Sequence, residues 1–148
     1  MSKLNIRKEN CRFIINEEKR TVICIIDETR ALLYNFVDSD SWNTQMRIGS
    51  ITFEPDSKLL LDLMLPNKFI GKAICSKDDK WDPEVGKLIA FDRAKNKLHS
   101  AFFKRAQLFS NEIDKSLTQL VTSFNEYGEQ LSKSADKRAK KIEELTKE

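Results

Sequence analysis

Five basic residues and no acidic one fall within Arg93–Arg105, a stretch whose apolar spacing reads as helix. At 100° per residue, with Arg93 as zero, Arg93, Lys97 and Lys104 lie within ~40° of one another and form a positive stripe. Phe91, Leu98, Phe102 and Phe109 fall between ~140° and ~180°, and Arg105 near ~120°, on the flank of that apolar face. An arginine there needs a partner, because a buried charge without one is costly. Two readings stay open. In the first, Arg105 is structural: it pairs with one of the acidic residues, or lays its stem over Phe102 and Phe109 with its head in water. In the second it grips a phosphate bidentately while Phe102 stacks on a base. Arg20 and Arg30, at the two ends of a strand-like run, are natural second clamps, and Arg93 and Lys97 supply a positive field.

Other chemistry is hard to find. The chain has no GxGxxG, GxxxxGK[ST] or GxSxG, and its four glycines offer little for a phosphate-cradling loop. His99 is the only histidine, and the carboxylates are scattered or adjacent only in polar turns, as in Glu17-Glu18 and Asp78-Asp79. An enzyme is not expected, nor a cofactor. Cys11, Cys24 and Cys75 are too far apart to suggest a zinc site and read as reduced thiols of a cytoplasmic protein. The start of the chain lacks the apolar core of a signal peptide, and no apolar run approaches the ~20 residues that span a bilayer. Basic and acidic residues number 13 and 12 over positions 1–81, 7 and 6 over 82–127, and 6 and 5 beyond. Such balance makes a general nucleic-acid binder less expected than a protein with a local anion site.

These residues must be positioned by two kinds of element. The first part, 1–81, reads as β-rich. Cys11–Asn16 and Arg20–Ile26 are strand-like, with Asn16-Glu17-Glu18-Lys19 as the hairpin connection. Apolar residues on both faces of the second run predict a central, covered strand. Ala31–Val37 is ambiguous between strand and helix, and Asp38-Ser39-Asp40-Ser41 reads as a loop. Ile48–Phe53 and Leu59–Leu65 are further strand candidates. Pro66-Asn67 is a turn, and Lys68–Cys75 a last strand. Four to six strands, mostly antiparallel, are expected.

The second part, 82–148, reads as a long helix with a charged helical tail. Asp82 is a good N-cap and Pro83 fits the first helical position. Apolar residues recur at Leu98, Phe102, Ala106, Phe109, Ile113, Leu117, Leu120, Phe124, Tyr127 and Leu131, close to a heptad rhythm. Residues 82–127 alone would span roughly 69 Å, against a radius of gyration near ~15 Å for a compact monomer of this size. The stripe from Phe109 to Phe124 therefore calls for a partner: self-association as a dimer or higher oligomer, or a helix broken near Ser110-Asn111 or Gly128 that folds back. One α+β domain over 1–148 is the expected organisation, an antiparallel sheet or meander followed by a long amphipathic helix.

The stretch FIGKAICSKDDKWDPEVGKLIAFDRA, ending at Ala94, joins a strand ending in Cys75 to Asp79, Trp81, Asp82 and Gly86 at a helix start. Together with the hairpin INEEKRTVICII it resembles, within residues 11–94, the phage anti-Thoeris sponges, the first Thoeris anti-defence family. The resemblance implies a non-enzymatic oligomer that binds cyclic ADP-ribose-type or other cyclic nucleotide signals between subunits, in the host bacterial cytoplasm. It assigns no ligand-binding position in this chain. The alternatives are a phage nucleic-acid-binding accessory protein that uses the Arg93–Arg105 stripe, and an inhibitor that acts on another protein through its helix.

Overall fold

The computed structural model describes residues 4–39 and 63–147. After a 3-10 turn at Lys8–Asn10 come β1 (Arg12–Asn16), β2 (Thr21–Asp27), α1 (Leu32–Ser39), β3 (Lys68–Ile74) and α2 (Pro83–Thr146). The three strands form an antiparallel sheet in the order β1-β2-β3, which leaves β2 central. This is the α+β arrangement that the sequence predicts. The candidates at Ile48–Phe53 and over 59–62 lie outside the described residues, and Leu63–Leu65 is not strand.

The hairpin forms where its turn chemistry places it. Asn16 Oδ1 accepts from the Lys19 amide at 2.8 Å, and the Glu17 carbonyl accepts from the Arg20 amide at 3.1 Å. Such side-chain caps are why asparagine opens turns. Arg20 closes the turn at φ 48°, a left-handed conformation that costs a non-glycine residue ~1–3 kcal/mol unless its surroundings hold it. The register sets Phe13 opposite Cys24 and Cys24 opposite Gly71.

The ambiguous segment after β2 is helix, and Asp38 and Ser39 belong to it rather than to a loop. Its start is fixed by the buried Thr29, whose hydroxyl donates to the Pro66 carbonyl and whose amide donates to Asn67 O at 3.2 Å. Leu33 on α1 is fully buried.

Two compact units divide the chain, Met1–Phe109 and Ser110–Glu148. In the first, one face of the sheet carries buried Val22, Cys24, Ile26, Phe69, Gly71 and Ala73. The facing stripe of α2 begins with Gly86, Ala90 and Ala94 and continues to Leu98, Phe102 and Phe109. Small residues come first because the backbones nearly touch. A Cβ on Gly71 would overlap the Ala90 carbonyl oxygen, and one on Gly86 would stand 2.6 Å from Val22 Cγ2. Asp82 caps the helix as predicted, accepting from the Glu84 amide at 2.9 Å, and Pro83 is its first residue. Helix continues through Ser110-Asn111 and Gly128, so neither ends it. Every described side chain from Ser110 onward is exposed except that of Ile113, which is half-buried.

Gly71→Ala should therefore lower the urea midpoint by an amount equal to about 1–3 kcal/mol or more, since backbone must move. Gly128→Ala, with nothing within 4 Å of the new methyl group, should instead raise helicity and gain ~1 kcal/mol. Equal effects at the two sites would contradict the close approach at Gly71.

Candidate functional site

Of the five basic residues in Arg93–Arg105, three are committed to the fold. Arg93 donates to the Lys72 carbonyl at 2.7 Å and Lys97 to the Ile70 carbonyl at 2.8 Å, both on β3. Lys95 sits over the Phe91 ring at 5.7 Å from its centroid. Lys104 and Arg105 have no such partner among the described residues. Periodicity located the positive stripe, but it could not show that main-chain oxygens would neutralise part of it.

The other arginines divide in the same way. Arg20 lies at the opposite end of the sheet from Arg105 and is a structural clamp. Its guanidinium donates to the carbonyls of Ser76 at 2.7 Å and Lys77 at 3.0 Å, and to that of Asp79. These bonds hold the β3–α2 loop and also explain how the left-handed backbone at Arg20 is maintained. Arg12 pairs with Asp27 at 2.6 Å and keeps that carboxyl below its ordinary range. Arg7 donates to Asn5 Oδ1 at 3.1 Å. Among the seven described arginines, Arg30, Arg105 and Arg138 carry no side-chain hydrogen bond or ion pair, and only Arg105 of these is half-buried. No buried side-chain nitrogen or oxygen among the described residues lacks a partner, so the Arg105 head reaches water.

Arg105 and Arg30 come from neighbouring elements. Arg30 stands two residues before α1, and α1 meets α2 where Phe36 packs edge-to-face on Phe102, centroids 5.4 Å apart. Arg105 follows Phe102 by less than one helical turn. Arg20 belongs to the far end, where Val22 meets Gly86, about 28 Å from Arg105 along the helix at 1.5 Å per residue. Phe102 itself is 4% exposed and wedged between Phe36 and Phe103, so a core contact occupies its ring. The aromatic open to a base is its neighbour Phe103, 66% exposed. Sequence reasoning passed over it because it falls outside the apolar rhythm. That departure was the available signal.

A pocket of about 260 Å³ lies where β3 runs into α2, lined by Ala73, Cys75, Trp81, Val85, Gly86 and Ile89 with the acidic Asp79 and Asp82 at hand. The strand-turn-helix residues that carry the family resemblance thus line one cavity. It is smaller than the ~300–1,000 Å³ of ordinary ligand sites, and its two carboxylates, set against the single cation Lys80, disfavour a phosphate. Anion recognition fits the Arg105 region better.

Among the described residues no three His, Cys, Asp or Glu side chains gather as a metal would require. Cys24 has no exposed surface, and burial, then its neighbour Cys11, pushes its thiol up to about 12. A folded-state value above the ordinary one stabilises the fold below pH ~9, and that contribution is lost as pH rises toward ~12. Cys24 should therefore stay silent to a disulfide reagent at pH 8 until urea unfolds the protein, and the urea midpoint should fall between pH 9 and 11. Rapid native labelling of Cys24 would contradict its burial.

No family model matches this chain, and neither a curated protein nor a solved structure is similar to it. No described helix is long and apolar enough to cross a membrane.

Proposed function

We propose that this protein is a non-enzymatic binding protein that sequesters a phosphate-bearing, cyclic nucleotide-type signal, as the phage anti-Thoeris sponges do, and that it works as a homo-oligomer in a host bacterial cytoplasm. The observation that carries the reading is Arg105. The residue is half-buried, and its guanidinium is uncommitted among the described residues and in contact with water. Lys104 and Phe103 precede it on the same helix, and Arg30 precedes the helix that packs beside it. Partial desolvation strengthens a charge-assisted hydrogen bond to phosphate, and an exposed ring offers a stacking face. Sequestration needs preorganised contacts and exclusion of water rather than proton transfer. The open side of this surface suits completion by a second subunit.

The nucleic-acid alternative is weakened because Arg93 and Lys97 are occupied by β3 carbonyls. Calorimetric titration with a cyclic ADP-ribose-type nucleotide, repeated at low and high salt, tests the proposal. Saturable binding with a mild salt dependence is the expected result. Absence of heat with every cyclic nucleotide tried would overturn the reading, and steep salt dependence with an oligonucleotide would favour the alternative.

A further inference from the structure

Within the second unit, Ile113, Leu117, Leu120, Phe124, Tyr127 and Leu131 recur at steps of 4, 3, 4, 3 and 4. At 100° per residue they fill a stripe ~80° wide, the geometry of alternating a and d positions in a coiled coil. Leu117, Leu120, Phe124, Tyr127 and Leu131 are 43% to 65% exposed in the single chain. The surroundings of the stripe are prepared for loss of water. In a chain one-third charged, positions 116–125 hold no charged residue. The hydroxyls of Ser116, Thr118, Thr122 and Ser123 all donate to carbonyls four residues back, so they ask little of solvent.

We infer that residues 113–131 pair with the same residues of a second copy in antiparallel orientation, centred on Thr122. The spacing is symmetric about that centre. Ile113 then faces Leu131, Leu117 faces Tyr127 and Leu120 faces Phe124, giving six layers that each join an a to a d position. Ser110 and Ser134 close the two ends. The basic residues beyond the stripe count against a parallel pair in register. Arg138 and Lys141 occupy the next a and d positions. A parallel pair in register would stack each on its own copy. The antiparallel pair separates the two Arg138 side chains by about 48 Å along the axis, far beyond the ~8 Å screening length at physiological salt. Of the flanking e and g positions within 113–131, Ser116, Val121, Ser123, Gly128 and Gln130 are neutral and only Asp114 is charged; in this register it adjoins Gly128 of the second copy, so no like charges meet there. With roughly 100 Å² still open on each layer residue, the pair covers on the order of 1,200 Å², the lower end for specific interfaces.

The inference takes from the functional reading only self-association, and no ligand enters its test. Ser116→Cys protein is mixed with Gln130→Cys protein, treated with a short bis-maleimide, and the linked peptides are mapped by mass spectrometry against the parent protein. Both positions are exposed and helical, and circular dichroism verifies the fold of each variant. Links between 116 and 130 should outnumber 116–116 and 130–130 links by about tenfold, since g positions adjoin in antiparallel coils, whereas a parallel register holds 116 and 130 about 21 Å apart. Predominance of the like-to-like links would overturn the orientation. Absence of any link, with sedimentation as a monomer at high concentration, would overturn the pairing. Failure of the nucleotide titration would leave these links in place, so the two readings fail separately.

Discussion

Arg105→Ala should abolish nucleotide binding and leave the fold and the assembly mass unchanged. Among the described residues the side chain has no partner to lose, so removing it deletes no ion pair and orphans no buried acid there. A surface change of that kind usually moves stability by no more than ~0.5 kcal/mol. Loss of a charge-assisted contact to a desolvated phosphate costs about 2–5 kcal/mol, which is roughly 30- to 5,000-fold in affinity. Calorimetry gives the affinity and thermal melting the stability on one preparation. A lowered melting temperature with unchanged affinity would return Arg105 to a structural role and remove the main support for the phosphate site. Lys97→Ala is the contrasting variant. Its ammonium is bonded to the Ile70 carbonyl at 2.8 Å, so its loss should appear in stability rather than in binding.

Leu117→Glu combined with Phe124→Glu should convert the assembly to monomers. In the single chain these side chains are 43% and 65% exposed, so within one copy two glutamates there meet water and are nearly neutral to folding. In the paired arrangement they fall in four of the six apolar layers, where an unpaired charge costs ~3–5 kcal/mol. The variant should retain its helical circular dichroism and sediment at half the mass or less. Unchanged mass would remove the stripe from the interface, and a wild type that stays monomeric when concentrated would do the same.

Much of the fold was legible because local rules agreed. Asn16 opens a turn between two β-branched runs, and Asp82-Pro83 opens a helix that no later proline stops. The segment after Arg30 was ambiguous because Leu32, Leu33, Phe36 and Val37 are too few to separate a period of 2 from one of 3.6. The helix seat was missed for a different reason. Gly86, Ala90 and Ala94 carry little hydrophobicity, so the heptad series of apolar residues begins only at Leu98, three turns too late. Their i, i+4 spacing, leading into Leu98 and Phe102, was the readable sign. The candidate site was half legible. Helical phase placed Arg105 on the flank of the apolar face, where it stands. The roles of Arg20, Arg93 and Lys97 depend on carbonyl oxygens brought close by tertiary packing, and side-chain patterns do not display those acceptors.

The bonds from Arg93 and Lys97 to β3 also restrict how another chain could add to the sheet. Among the described residues β3 is an outer strand, and an outer strand with open carbonyls is a template on which another chain can lengthen the sheet. Here two of those carbonyls, at Ile70 and Lys72, are already occupied by cations anchored on α2. An incoming strand would have to displace both side chains and then lie beside their positive charges. Growth by sheet extension, the route toward fibrils, is therefore obstructed on the β3 side of the sheet.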